Sequence, residues 1–208
     1  NMKKKKIIVL IAIFCLFILT IFLLLNNKNK KVLVINELSL DNINNRYIGS
    51  EPPHIIYADS ENIIINCGGV YVYNMSSKSL IKTLDVLSFK DEMDPDTFYD
   101  CFATEDGKKI IFTFTKLNLK GASTYYCYSF DSDKLSKINE VDYKKYRENA
   151  FENSRNDIND DIDNNTRTGL TYISDTEYIY LLTPEMIIGN IVAVYVKDSV
   201  ETYYQIFK

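Results

Sequence analysis

Asp91, Glu92, Asp94, Asp96 and Asp100 crowd one stretch of the chain, with Pro95 marking a turn among them. Carboxylates at that density repel one another unless water solvates them or a cation bridges them, and oxygen donors of this kind suit Ca²⁺. Asp94, Asp96 and Asp100 are the residues on which a metal site would draw, as would a hydrolase working with two facing carboxylates. A second cluster, Asp157, Asn159, Asp161 and Asp163, alternates as an EF-hand loop begins. Its sixth position is Ile162 where that loop needs Gly, and its twelfth is Thr168 where a bidentate Glu belongs, so the pattern fails. Solvated loop acids are the plainer account of both clusters.

Other chemistry is sparse. His54 is the single His of the chain and follows Pro52-Pro53, a stiff extended segment. A lone His cannot build a multi-histidine zinc site, and a catalytic one needs a nucleophile and an orienting acid beside it in space. The chain carries no Gly-x-Ser-x-Gly elbow and no phosphate-cradling glycine loop. No catalytic residue and no cofactor is assigned. Beyond an apolar leader the cysteines are Cys67, Cys101 and Cys127, an odd set that leaves room for one internal disulfide. Cys101 and Cys127 fall in neighbouring predicted strands and are the pair if one forms; otherwise all three act as small buried apolar residues. There are 16 Tyr and 11 Phe but no Trp. That is a poor set for sugar stacking and a good one for filling sheet faces, with some tyrosines left for a protein contact.

The 208 residues carry a net charge of −4, with 46% hydrophobic and 25% charged, an ordinary balance for a folded chain of one domain or two small ones. Lys3 to Lys6 form a basic cluster, followed by Ile7 to Leu25, nineteen residues that are apolar apart from Thr20. As a helix this run is about 28 Å long, close to the roughly 30 Å of a hydrocarbon core. No small-x-small cleavage site follows Leu25, and Cys15 is preceded by Phe14 where a lipobox needs a small residue. The expected plan is a cytoplasmic tail over 1–6, an uncleaved transmembrane signal anchor over 7–25, a linker over 26–31 and an extracytoplasmic domain over 32–208. The front lysine cluster is tighter than Lys28, Lys30 and Lys31 behind the anchor, which sets this orientation. All 28 acidic residues and 20 of the 24 basic ones lie beyond the front cluster, so the exported part is near −8. That sign disfavours nucleic acid and anionic headgroups. Heavy use of Asn, Ile, Lys and Tyr points to an A/T-rich bacterial genome.

The exported part shows strand periodicity. Asn62 to Asn66 and Val70 to Tyr73 flank Gly68-Gly69, and Phe98 to Ala103 and Lys109 to Thr115 flank Asp106-Gly107, both hairpin signals. Phe112 and Phe114 alternate with Thr113 and Thr115; Tyr126, Tyr128 and Phe130 alternate with Tyr125, Cys127 and Ser129. Glu177 to Leu182 and Ile191 to Val196 form the last pair. The fold class is all-β, an antiparallel meander. One helix is predicted over Asp142 to Asn153, with Tyr143, Tyr146, Ala150 and Phe151 on one face and Asp142 as N-cap. It opens a helix and loop insertion over 142–165.

Three segments share one order: aromatic, turn, strand, strand, polar turn, strand. They begin at Tyr57, Phe102 and Tyr172, and the wider second spacing contains the insertion. A meander of that order is what one propeller blade looks like, with a β-sandwich or open barrel as the alternative architecture. The stretch Thr104-Glu105-Asp106-Gly107-Lys108-Lys109-Ile110-Ile111-Phe112 resembles the repeat of TolB-type propellers, in which a Pro-Asp-Gly-Lys turn precedes an apolar strand, with Glu105 here in place of the Pro. Tyr71-Val72-Tyr73-Asn74 and Lys78 to Leu84 resemble the third and fourth strands of such a blade. The resemblance implies a platform for binding other proteins. The expectation is therefore a single-pass, membrane-anchored binding domain with a protein partner and no catalysis. A carboxylate-based envelope hydrolase and a Ca²⁺-stabilised structural domain are the alternatives.

Overall fold

A computed structural model describes residues 53–88, 97–117, 122–151, 161–162, 165–184 and 191–207. Its strands form where β-branched and aromatic residues run in short series between turn residues. The first sheet holds β1 (His54–Ala58), β2 (Asn62–Asn66), β3 (Val70–Asn74) and β4 (Ser79–Leu84). The second holds β5 (Thr97–Ala103), β6 (Lys109–Lys116), β7 (Ala122–Ser129) and β8 (Lys134–Ile138). A helix, α1 (Glu140–Glu148), follows, and then the two-residue β9 (Asp161–Ile162). The third sheet is β10 (Asn165–Ser174), β11 (Glu177–Pro184), β12 (Val192–Lys197) and β13 (Val200–Gln205), with β9 added to β10. In every sheet, neighbours in sequence are antiparallel neighbours in space. The all-β meander expected from the sequence is what the chain forms, and every described residue belongs to one unit, Val34–Lys208.

The three sheets share their turn chemistry. Between first and second strands a side-chain oxygen organises the backbone: Asp59 Oδ1 accepts from the Glu61 and Asn62 amides, both at 2.7 Å. Asp106 Oδ1 accepts from the Lys108 amide at 3.1 Å, and Ser174 Oγ takes that role for Thr176. Such side chains imitate a backbone turn. Between third and fourth strands a left-handed residue stands directly before the last strand in each sheet: Lys78 (φ 52), Asp133 (φ 49) and Ser199 (φ 66). In the third sheet Asp198 is also left-handed (φ 49), giving the mirror-type two-residue hairpin that suits the strand twist.

Layering follows from alternation along the strands. In the first sheet Ile63, Ile65, Tyr71 and Tyr73 turn toward the third sheet and share a core with Ile179, Leu181, Ala193 and Phe207. Asn66 and Lys82, on the opposite face, reach the second sheet. The Tyr99 hydroxyl donates to Asn66 Oδ1 at 3.0 Å, and Lys82 Nζ stands 2.9 Å from Asp133. The central strands β2 and β3 are therefore buried on both faces. β1 lies against both β5 and β10, the first strands of the other two sheets. Gly169 (φ +66) permits this approach, since a Cβ there would stand 3.1 Å from the Ile55 amide nitrogen.

One expectation needs correction, and one open choice is decided. The helix predicted over 142–153 spans Glu140–Glu148, and its N-cap is Asn139, whose Oδ1 accepts from the Asp142 amide at 2.8 Å. Asp142 sits in the first turn, where a negative charge suits the helix dipole. Helical structure stops at Asn149 because the chain is drawn back to the sheet. Ala150 bridges Thr104, the Phe151 amide donates to the Ala103 carbonyl at 3.0 Å, and the Phe151 ring packs on Tyr57 at 5.0 Å. For the cysteines the structure bears out the reading of three small buried residues rather than the pair. Cys101 in β5 and Cys127 in β7 are separated by β6; Cys101 pairs with Phe112 and Cys127 with Ile111, so the two thiols point to opposite faces. Two strand spacings are about 10 Å, beyond the roughly 7 Å a disulfide spans. Cys67, Cys101 and Cys127 are all free and buried.

The tail over 1–6, the anchor over 7–25 and the linker over 26–31 lie outside the described residues. Among the described residues no helix is long and apolar enough to cross a membrane.

Candidate functional site

With β2 and β3 of the first sheet covered on both sides, the broader candidate surfaces lie on the outer faces of the other two sheets. On the second sheet that face carries Phe102, Ile111 and Cys127, and α1 covers it with Tyr143 and Tyr146, joined by Ala150 just beyond its end. Tyr143 stacks on Tyr125 at 4.3 Å, and the Arg147 guanidinium lies 4.8 Å over the Phe102 ring. The helix is thus held by aromatic stacking and a cation–π contact. Where α1 leaves the β5–β6 turn exposed, a cleft of about 550 Å³ opens between Thr104, Asp106, Lys109, Lys145, Tyr146 and Asn149.

The cleft has mixed charge. Lys109 Nζ donates to the Tyr146 hydroxyl at 3.2 Å and stands 5.0 Å from that ring. This bond holds the Lys109 ammonium above its ordinary range. The Thr104 hydroxyl donates to Asp106 Oδ1 at 2.6 Å and, with the Lys108 amide, holds the Asp106 carboxyl below its ordinary range. Both groups carry full charge at neutral pH. Beneath them burial pushes the Cys127 thiol up, against the smaller opposing pull of Lys109 and Tyr146. A raised thiol is a poor nucleophile, so the arrangement favours holding a polar or zwitterionic group over attacking one.

The outer face of the third sheet differs. The register places Tyr172 beside Tyr178, Tyr178 beside Val196, and Tyr180 beside Val194, with Tyr203 next in line. Tyr180, Val194 and Val196 form its buried floor, and every described member of this cluster belongs to the sheet itself. At its margin Tyr172 is 49% and Tyr203 59% exposed. The rings run as a ladder, with Tyr172 and Tyr178 centroids 5.6 Å apart and Tyr178 and Tyr180 6.4 Å apart. Glu201 sits among them, accepting from the Tyr180 hydroxyl at 3.3 Å and from the Tyr203 hydroxyl.

Of the residues singled out from sequence, Asp100 lies in β5 opposite Thr113, partly buried on the helix-covered face of the second sheet. Asp94 and Asp96, with Asp91 and Glu92, lie outside the described residues, as do Asp157, Asn159 and Asp163; of Asp161 only the backbone is described, in β9. Among the described residues no group of three or more His, Cys, Asp or Glu could hold a metal ion. His54 begins β1, paired with Asn66, in the extended conformation its prolines predict. The tyrosine face was not legible beforehand as a surface. Its only sequence signal is the alternation of Tyr178 and Tyr180, which shows a shared face but not which neighbours complete it.

The fold and these surfaces define an all-β domain of three four-stranded meanders, one of them faced by a helix. Comparison with protein-family models, curated proteins and solved structures finds no significant match to this chain.

Proposed function

We propose that this chain is a membrane-anchored extracytoplasmic binding domain that works by holding a protein partner rather than by catalysis. Residues 7–25 would fix it in the bilayer with 32–208 outside, and the three meanders would be propeller-type blades of the TolB kind. The blade reading is supported by the common strand order, by the left-handed residue before each fourth strand, and by β1 lying against both β5 and β10. The binding reading rests on one observation: the aromatic face of the third sheet, with Tyr172 and Tyr203 half exposed around a buried apolar floor. Solvent-exposed tyrosine over packed aliphatic side chains is the composition that protein interfaces favour.

The test is lysine-directed cross-linking on intact cells carrying the full chain, followed by mass spectrometry. A reproducible partner linked to residues of the third sheet is the expected result. Recovery of the chain with itself alone counts against the reading.

A further inference from the structure

We infer that the cleft between α1 and the β5–β6 turn binds a small zwitterion, an amino acid or a molecule built like one, with its carboxylate on Lys109 and its ammonium on Asp106. This site is separate from the tyrosine face of the third sheet, so the inference does not rest on the protein-binding reading. The cleft's volume of about 550 Å³ lies within the roughly 300–1,000 Å³ of small-molecule sites.

Both poles are oriented, and neither is used up by the protein. Lys109 Nζ donates one of its hydrogens to the Tyr146 hydroxyl at 3.2 Å, which fixes the ammonium and leaves its other donors for a ligand. Asp106 takes both of its bonds, from the Thr104 hydroxyl and from the Lys108 amide, on Oδ1. Oδ2 of the same carboxylate has no partner among the described residues. The two charges sense one another, since Asp106 contributes to the raised Lys109 ammonium, yet among the described residues they form no ion pair. Lys145 repeats this on the helix side of the cleft. Asp142 precedes it at a helical spacing that suits pairing, and the two are not paired, whereas the adjacent Lys144 binds Glu140 at 2.7 Å. Opposite charges held beyond the about 4 Å of an ion pair leave a place for a molecule between them.

The sign pattern selects the class of ligand. Three carboxylates, Glu105, Asp106 and Asp142, line the cleft with the two ammoniums of Lys109 and Lys145. A phosphate or other polyanion would meet the carboxylates, and a bare metal cation would meet the ammoniums; among the described residues no group of three His, Cys, Asp or Glu stands ready for a metal. A neutral ligand would strip water from both signs of charge and return no counter-charge. A molecule with an ammonium at one end and a carboxylate at the other supplies a charge-assisted hydrogen bond to each pole.

The experiment is isothermal titration calorimetry of the full chain with glycine, β-alanine, γ-aminobutyrate and ε-aminocaproate, zwitterions whose charges stand progressively further apart. Acetate and butylammonium are the single-charge controls. Saturable binding is expected for one spacing above the others, with a dissociation constant of about 1 mM, and nothing comparable for either control. Lys109→Gln and Asp106→Asn should each weaken that zwitterion about tenfold. Asp106→Asn keeps an Oδ1 for Thr104 and Lys108, so it removes the charge and leaves the turn in place. Should Lys109→Gln fail to fold by circular dichroism, Asp106→Asn decides. The inference is overturned if no zwitterion of the series binds more tightly than about 10 mM, if acetate or butylammonium binds as well as the best of them, or if Asp106→Asn leaves the affinity unchanged.

Discussion

Gly107→Ala is the substitution for which the structure gives the sharpest expectation. Gly107 lies in the turn between β5 and β6 with φ +66, and a Cβ built there would stand 2.5 Å from Cζ and 2.6 Å from Cε1 of Tyr57. Two costs follow. The left-handed backbone costs an L-residue about 1 kcal/mol. The ring must also move, and it is held at both ends: its hydroxyl donates to Asp59 Oδ2 at 2.9 Å, and its face packs on Phe151 at 5.0 Å. Forcing a methyl into such a contact costs about 1–3 kcal/mol more, so the total is about 2–4 kcal/mol. Urea denaturation of the full chain, followed by tyrosine fluorescence and far-UV circular dichroism, measures it. A double-mutant cycle separates the two costs: in a Tyr57→Ala background Gly107→Ala should cost only the backbone part, about 1 kcal/mol. An equal cost with and without the Tyr57 ring would refute the packing of the first sheet onto the second at this turn.

Three further outcomes are expected. Asn139→Ala removes the N-cap of α1 and should cost about 1 kcal/mol, read by urea midpoint and by loss of the near-UV signal of the Tyr125–Tyr143 stack. The Tyr57 and Tyr128 hydroxyls are pushed up to about 12, chiefly by burial and next by their bonds to Asp59 and Asp133. The folded chain therefore keeps both protons above pH 10, where the unfolded chain releases them, so stability from this source is intact below pH 10 and falls between pH 10 and 12; the advantage of the wild type over Tyr128→Phe should narrow across that window and not below it. Burial pushes the Cys67 thiol up to about 12, and Cys101 and Cys127 are also buried and free; all three should resist a disulfide reagent at pH 8 until denaturant is added, and a chain lacking two hydrogens by intact mass would contradict the strand register.

Hairpins were the legible part of the fold. Gly68 and Asp106-Gly107 announce their turns because only a few residues accept that backbone, and the alternation of Phe112, Phe114, Tyr126 and Tyr128 fixes one face of the second sheet before any coordinates are seen. The helix was legible in kind but not in limits. Its apolar spacing is carried by Tyr143 and Tyr146, whereas its end is set by Thr104, Ala103 and Tyr57, partners distant in sequence that draw Ala150 and Phe151 back to the sheet. The choice between a Cys101–Cys127 pair and three small buried thiols stayed open in the sequence: Lys109 to Thr115 reads as a strand between the two, and the register adds that their side chains face opposite ways. The candidate surfaces were least legible, since Tyr172, Tyr178, Tyr180 and Tyr203 meet through pairings across four strands.

Burial also limits where recognition can reside. In the first sheet the apolar residues of β2 and β3 point alternately to two covered faces, and both strands are almost wholly buried. Changes there alter stability before they alter any contact with a partner. The second sheet has one face against the first and the other under α1, which leaves the polar cleft beside Lys109 and Tyr146. Only in the third sheet do half-exposed rings flank a buried apolar floor that no other described element joins. Exposed tyrosine tolerates water through its hydroxyl, and Glu201 adds charge among those hydroxyls, so this margin stays hydrated over its buried floor.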